Sequence, residues 1–383
     1  MRSRPLRILH CPTTVGGNAQ GLVRAERRLG LDSLAVAFEQ NQFQFTTDEV
    51  LFRQDEPLVL REWKRWKFLW RALSRFDIVH FNFGRTIFPT GMPVSASAAG
   101  RTSRALASLR LACSRLLLMR DLPLLKAAGK GIVVTYQGDD ARQGDFCRAH
   151  FAISPASEVE PGYYTTETDA HKRRAIEYMS RYADRMFSVN PDLLHVLPSR
   201  AQFIPYASVD LDEWKPVDPR PEPAAPVLLH APSHRGVKGT RHVMAAVNRL
   251  RDEGVPFEFV LVENQPREKA RAMYAGADLL LDQLLCGWYG GVAVECMALG
   301  KPVVAFMREG DLHFISSDMR RDLPIINATP ATVYQVIKEW LTVRRGELLS
   351  WGRKGRRYVE RWHDPLVIAE RLKDEYHAVV ESL

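Results

Sequence analysis

Residues 284–306 read "LLCGWYGGVAVECMALGKPVVAF": a glycine turn, a short helical pattern with one acidic residue, a further glycine and an apolar strand. Gly290 and Gly291 stand just ahead of the helical pattern, where bare amides can approach an anion unobstructed. Glu295 follows within about a turn or two, where a carboxylate can accept both hydroxyls of a ribose. Taken alone, Glu295 is better read as a helix-dipole partner or ordinary surface charge. A second stretch in the same half of the chain changes that balance. In residues 231–243, "APSHRGVKGTRHV", a strand pattern ends near Ser233 and a helical one starts near Gly239. Arg235 and Lys238 fall between them, beside a helix N-terminus. Arginine offers a planar fork for phosphate oxygens and lysine a mobile point charge. A solvated basic loop is the competing reading, but the strand-end position and the small neighbours Gly236 and Gly239 favour phosphate contact.

Three stretches in the first half also put polar groups after strand patterns. In "TTVGGNAQGL" (13–22), Gly16 and Gly17 bring backbone close to a phosphate or sugar. The spacing is not GxGxxG, which argues against an ordinary NAD dehydrogenase. In "VVTYQGDDARQGDFC" (133–147), Gln137, Asp139 and Asp140 follow a strand. For Asp139, a cleft carboxylate that binds sugar hydroxyls or assists proton transfer and an Asx turn or helix cap are equally open. For Asp140 the structural role is favoured. In "FNFGRT" (81–86), Arg85 suits acceptor or phosphate binding. His10, His80, His230 and His234 also lie at strand ends. No paired metal spacing accompanies them, so they are read as structural and no metal site is expected.

Apolar runs alternate with amphipathic segments along most of the chain, the pattern of βα units and parallel sheets. Strands are expected over 7–11, 33–38, 77–83, 131–137, 185–190 and 202–207. After a proline-rich break a second series covers 226–233, 257–264, 277–283, 301–307 and 323–328. Helical patterns include 19–29 and 167–182, and the tail from Thr329 is helical with Pro365 as a kink or a start. The break, residues 207–226, carries prolines at 216, 219, 221, 223 and 226 and reads as a solvated linker without regular structure. The expected domains are 1–206, the linker 207–226, a second domain 227–357, and a C-terminal helix 358–383. The fold class is α/β, with two doubly wound Rossmann-like domains facing a central cleft, where open sheets bind ligands at strand carboxyl ends.

The 383 residues, 46% hydrophobic and 26% charged, suit a globular protein of two or three domains. No apolar run is long enough to span a bilayer and the N-terminus lacks a signal-peptide core, so a cytoplasmic location is expected. Five scattered cysteines form no CxxC and are read as reduced, mostly buried thiols. The net charge of +8 suits an anionic ligand or an anionic membrane surface. Dispersed basic residues without a recognised motif argue against nucleic acid. Residues 100–122, "GRTSRALASLRLACSRLLLMRDL", read better as a domain helix with one buried face than as a helix lying on anionic lipid.

The combination resembles the GT-B glycosyltransferases, particularly glycosyltransferase family 4 and its bacterial surface-polysaccharide relatives. The resemblance covers nearly the whole chain and is strongest over 227–306. Arg235 and Lys238 match the family's Arg/Lys pair; Glu295, Ala298, Gly300, Pro302, Val303 and Val304 match its second glutamate, small-residue helix and "GxPVV". It implies a nucleotide-diphospho-sugar donor, UDP or GDP, with Arg235 and Lys238 on the diphosphate and Glu295 on the ribose. It further implies retaining transfer without a metal or separate cofactor, and a C-terminal helix, 358–383, that crosses back to pack on the first domain. The expected acceptor is a glycan, a lipid-linked or a protein hydroxyl in cell-surface glycan synthesis, with peripheral contact at the inner membrane face. Two positions depart from the family. Gly287 stands eight residues before Glu295, where the family usually has a glutamate that contacts the donor sugar. Gln137 stands about where members often have a histidine. Asp282 is the nearest acid to replace the missing glutamate, with a turn role and a hydrogen bond to the adjacent loop equally open. A UDP-sugar epimerase of the same fold and a catalytically silent sugar-nucleotide-binding scaffold are the alternatives.

Overall fold

The computed structural model describes residues 4–40, 45–53, 55–88, 117–217 and 225–383. The first half builds, in chain order, β1 (Arg7–Cys11), α1 (Asn18–Arg28), β2 (Asp32–Ala37), β3 (Glu49–Val50), α2 (Leu58–Arg75), β4 (Ile78–Asn82), α3 (Asp121–Ala127), β5 (Gly131–Tyr136), α4 (Gly144–His150), α5 (Thr166–Ser180), β6 (Arg185–Ser188) and β7 (Gln202–Phe203). Its sheet has the order β3-β2-β1-β4-β5-β6-β7 and every pairing is parallel. The inner strands β4 and β5 are buried along their whole length. That is why Ile78–Asn82 and Gly131–Tyr136 read as nearly unbroken apolar runs.

The second half builds β8 (Val227–His230), α6 (Arg235–Lys238), α7 (Thr240–Asp252), β9 (Glu258–Leu261), α8 (Arg267–Ala275), β10 (Leu279–Leu281), α9 (Gly291–Ala298), β11 (Val303–Ala305), α10 (Ser317–Asp322), β12 (Ile326–Asn327), α11 (Val333–Leu341), α12 (Leu348–Trp362) and α13 (Pro365–Glu381). Its parallel sheet has the order β12-β11-β10-β8-β9. Strand order reverses between β1 and β4 in one sheet and between β8 and β10 in the other. These switch points open crevices at the carboxyl ends of the strands, where loops are free to hold ligands.

Helix α13 crosses back to the first sheet. Asp364 caps it by accepting from the Leu366 amide at 2.9 Å, with Pro365 at its first turn, one of the two roles expected of that proline. The helix lies on α1 and β5, and buried polar contacts hold it there. The Tyr376 hydroxyl is 2.7 Å from His80 Nδ1 and donates to Glu26 Oε1 at 3.0 Å, while Glu26 also meets His10 Nε2 at 3.0 Å. These groups are fully buried, so each partner covers a desolvation cost the others would otherwise carry.

The strand expected over 202–207 pairs only as Gln202–Phe203. Pro205 has no amide to donate, and the Ala207 amide goes to Asn18 Oδ1 at 2.9 Å. The linker is less solvated than expected before residue 218. Trp214 is fully buried there, under the guanidiniums of Arg267 and Arg271 at 5.4 and 5.2 Å from its ring centroid. Of the expected helix over 100–122, residues 100–116 lie outside the described residues, as does Cys113, and Asp121 begins α3. Cys11, Cys147, Cys286 and Cys296 are buried free thiols. Among the described residues no helix is long and apolar enough to cross a membrane.

Candidate functional site

Helix α6 is a single turn, capped by His234 Nδ1 accepting from the Val237 amide at 3.2 Å and ended by Gly239 at φ +74°. The left-handed glycine turns the chain so that Lys238 points at the end of β10 rather than into solvent. Its ammonium lies 3.1 Å from Asp282 Oδ1 and donates to Gln283 Oε1 at 2.7 Å. Asp282 Oδ2 accepts from the Gly290 amide at 2.6 Å, at the N-cap of α9. A Cβ on Gly290 would stand 2.6 Å from Lys238 Nζ, so the glycine is what lets the lysine approach the helix terminus. Lys238, Asp282 and Gln283 are all buried.

These contacts amend two sequence expectations. The Gly290 amide already has an acceptor in Asp282, so among the glycines the Gly291 amide is the one that remains a candidate for an anion. Of the three roles open to Asp282, a hydrogen bond to the adjacent loop is present, together with an ion pair the sequence did not suggest. Arg235 takes a different place from Lys238. It is exposed at the start of α6 and forks onto Glu263, with Nε and Nη2 at 2.8 and 2.6 Å from the two carboxylate oxygens.

Glu295 lies on α9, one turn beyond Gly291, and is buried. Burial pushes its carboxyl from the ordinary 4.5 up to about 7, against the pull of Arg267, whose Nε is 3.7 Å from Oε1. Arg267 sits between the Phe45 and Trp214 rings, and its Nη2 donates to the Ser208 carbonyl at 3.3 Å. Glu295 therefore faces the seam with the first domain and the linker.

At Gly287 the backbone is left-handed, φ +80°, and Arg308 occupies the space a side chain would take. A Cβ there would be 2.4 Å from Arg308 Nη1. Arg308 donates to Asp311 Oδ2 at 2.7 Å and across to the Ile153 carbonyl at 2.9 Å, with its guanidinium 3.7 Å from the Phe151 ring centroid. A cation bridging the two halves thus stands where the resembled family has a sugar-contacting acid.

On the first-domain side, Gly16 and Gly17 are both left-handed, at φ +63° and +70°, and lead into α1. Asn18 Nδ2 donates to Gln137 Oε1 at 2.9 Å, and a Cβ on Gly16 would lie 3.4 Å from that oxygen. Gly16 and Gln137 are therefore neighbours. Asp139 accepts from Arg142 Nη1 at 3.1 Å, from the Tyr163 hydroxyl at 2.6 Å and from the Tyr164 hydroxyl. Burial acts to raise its carboxyl, but Arg142 and the two phenols outweigh it and hold it below the usual range. Asp140 is the turn residue: its carboxylate accepts from the Gln137 and Gly138 amides at 3.1 and 2.7 Å, and burial raises it to about 6. Arg85 is exposed over the Phe83 ring and is not drawn into this group.

Sequence reasoning did not single out Arg308, Arg267, Arg142, Asn18 or His363. His363, at the α12–α13 junction, donates from Nδ1 to the Tyr206 carbonyl at 2.9 Å, and its Nε2 lies 2.8 Å from the Tyr289 hydroxyl. The Tyr206 hydroxyl donates to Asn190 Oδ1, and Asn190 Nδ2 to the Gln137 carbonyl, both at 2.6 Å. A hydrogen-bonded path thus runs from the crossover to the loops on both sides of the crevice. Only the placement of Arg308 directly after an apolar strand gave a signal in the sequence.

Two doubly wound parallel-sheet domains with a returning C-terminal helix define the GT-B fold, and solved structures match it over the whole chain. Sucrose-phosphate synthase from Thermosynechococcus elongatus superposes with a TM-score of 0.61 at 15% identity, over 99% of this chain and 100% of that one. The catalytic domain of starch synthase IV from Arabidopsis thaliana, bound to ADP and acarbose, gives 0.60 at 10% identity, over 99% and 100%. A UDP-N-acetylglucosamine 2-epimerase, so assigned provisionally, from Listeria monocytogenes gives 0.52 at 11% identity, over 97% and 95%. No protein-family model and no curated protein matches the chain.

Proposed function

We propose that this protein is a GT-B glycosyltransferase that moves a sugar from a nucleotide-diphospho-sugar, with UDP or GDP as the nucleotide, to a hydroxyl of a glycan, lipid-linked or protein acceptor. The observation that carries the reading is the cradle at the second switch point, where the buried Lys238 and the N-terminus of α9 converge. An ammonium has three N–H donors. Two are directed at Asp282 and Gln283, which leaves one for a phosphate oxygen without moving the lysine. Arg235, exposed in its pairing with Glu263, can turn toward the second phosphate. In this reading Glu295, one turn along α9, accepts the ribose hydroxyls.

The chemistry needed from these groups is electrostatic. As the bond from the sugar to the diphosphate breaks, negative charge grows on the leaving oxygens. Lys238, already in place, stabilises it without a reorganisation cost, and Arg235 adds its charge once it has turned from Glu263. The acceptor hydroxyl would enter from the first-domain side, past Arg85 and Gln137, with Asp139 at its margin and the Gly16–Gly17 turn toward the donor. Retention of configuration, independence of a metal and a role in cell-surface glycans belong to this reading by resemblance. The likeness to the provisionally assigned UDP-N-acetylglucosamine 2-epimerase supports a second reading, an enzyme that needs a free UDP-sugar and no acceptor.

A thermal-shift panel of UDP-, GDP-, ADP- and CMP-sugars, followed by turnover with and without acceptor extracts, tests the reading. Stabilisation by one nucleotide family and acceptor-dependent transfer are expected. No stabilisation by any nucleotide would sink the donor site. Conversion of a free UDP-sugar without acceptor would select the epimerase, and binding without any turnover the silent scaffold.

A further inference from the structure

Helix α2 is apolar on two opposite faces. Phe68, Leu69 and Ala72 are buried in the first domain's core. On the other side Val59, Trp63, Trp66 and Trp70 are 84, 57, 46 and 71% exposed. Their spacing of four, three and four residues places them in one stripe along the solvent side of a helix. Isolated exposed apolar residues need no explanation, but three tryptophans in line do.

We infer that this stripe is the surface by which the protein docks on an anionic phospholipid bilayer. Indole suits that boundary, since its ring enters the acyl region while its N–H stays with the headgroups. Charge points the same way. Leu58–Arg75 holds six Lys or Arg and one Glu. Arg61, Lys64, Arg65 and Arg71 are paired with Glu39, Glu56, Glu62 and Glu49. Lys67 carries positive charge beside the stripe and lies over the Trp63 ring, 5.2 Å from its centroid, while Arg75 falls on the opposite side of the helix. Two copies of α2 meeting stripe to stripe would bring the Lys67 charges together, whereas an anionic bilayer complements them. The stripe is also joined to the crevice: the loop leaving β4 carries Phe83, Arg85 and Phe88, whose ring lies tilted against Trp66 with centroids 4.8 Å apart. A bilayer against α2 thus lies beside the acceptor-side loop. The surface gives the peripheral membrane contact expected from the sequence a place on α2.

Flotation of the full chain with phosphatidylcholine vesicles, with and without roughly 30% phosphatidylglycerol, tests this directly. The wild type is expected to float with the anionic vesicles and to show a blue-shifted tryptophan emission. Trp63→Ser/Trp70→Ser should reduce the floated fraction by about fivefold or more. Both side chains are exposed, so the variant should keep the wild-type melting temperature and its thermal shift with nucleotide. That parallel readout separates failure of this surface from failure of the donor site. No flotation of the wild type, or equal flotation of the variant, overturns the inference. A concentration-dependent dimer that the variant abolishes, without vesicle binding, would overturn it in favour of a second copy of the chain.

Discussion

Arg308 stands over Gly287, its Nη1 2.4 Å from where a Cβ would be, and the same guanidinium reaches the Ile153 carbonyl in the other domain at 2.9 Å. The glycine and the arginine form one unit, since the left-handed backbone at residue 287 removes the side chain that would displace the cation. Gly287→Ala should cost about 2 kcal/mol in urea unfolding, from the left-handed backbone and the Cβ contact. The backbone part remains when Arg308 is also truncated, but the contact part disappears. The double variant Gly287→Ala/Arg308→Ala should therefore lose less than the two single losses added together. Strict additivity would mean that the arginine yields freely and that Gly287 answers only to its own backbone.

Lys238 and Asp282 are a buried ion pair, and breaking such pairs costs more than they contribute as pairs. Lys238→Met keeps the aliphatic stem but leaves Asp282 with the Gly290 amide as its remaining partner here, an expected loss of about 3 kcal/mol. Nucleotide affinity in calorimetry should fall by about tenfold or more, since a charge-assisted phosphate contact goes with the ammonium. Asp282→Asn should leave nucleotide affinity equal to or above wild type, because the lysine loses its competing counter-ion. A strong loss of affinity in Asp282→Asn would show the carboxylate itself to be part of the ligand site.

The Glu295 carboxyl titrates near 7 in the folded protein against about 4.5 when unfolded. The native state therefore holds this proton more tightly than the unfolded chain. Stability from this group is fully present below pH 4.5 and is lost as pH rises to 7 and beyond. The difference corresponds to about 3 kcal/mol at most. Glu295→Gln, neutral throughout, should flatten the stability profile over that interval and exceed wild type on its alkaline side. Chemical denaturation across the interval measures it. A variant that tracks wild type in parallel would return Glu295 to ordinary surface behaviour. If Glu295 binds ribose, the same variant should also weaken nucleotide binding.

The parallel sheets were legible because their strands are buried on both faces, so Ile78–Asn82 and Val303–Ala305 stand out as apolar runs bounded by turns. Lys238, Gly290 and Glu295 were legible through their positions after strands. What they touch was not. Asp282 and Lys238, 44 residues apart, meet only because β8 and β10 pair within the second sheet, and Arg308 and Ile153, 155 apart, meet only where the two domains pack. The roles of Asp139 and Asp140, adjacent in sequence, separate only when Tyr163, Tyr164 and Arg142 fold over the first. Trp214 lies in a stretch whose prolines and acids read as solvated. Two arginines of α8 bury it, and no periodicity in the stretch itself announces that.

His363 ties the crossover to both sides of the crevice, and it does so as a neutral ring. Burial depresses its imidazole to about 4 from the ordinary 6.5, although the hydrogen bond with the Tyr206 carbonyl resists this. With a depressed value the unfolded chain takes up the proton first. The stability it contributes is present above pH 6.5 and lost as pH falls through that value toward 4. His363→Gln should cost about 1–3 kcal/mol at neutral pH, because the Tyr289 and Tyr358 hydroxyls lose the ring that closes their network. It should also lose less stability than wild type on acidification, because glutamine has no proton to take up. If the path to Gln137 positions the acceptor side, the variant should raise the acceptor KM while leaving nucleotide affinity unchanged. A loss of nucleotide affinity equal to the loss of stability would instead mean that His363 does no more than hold the fold together.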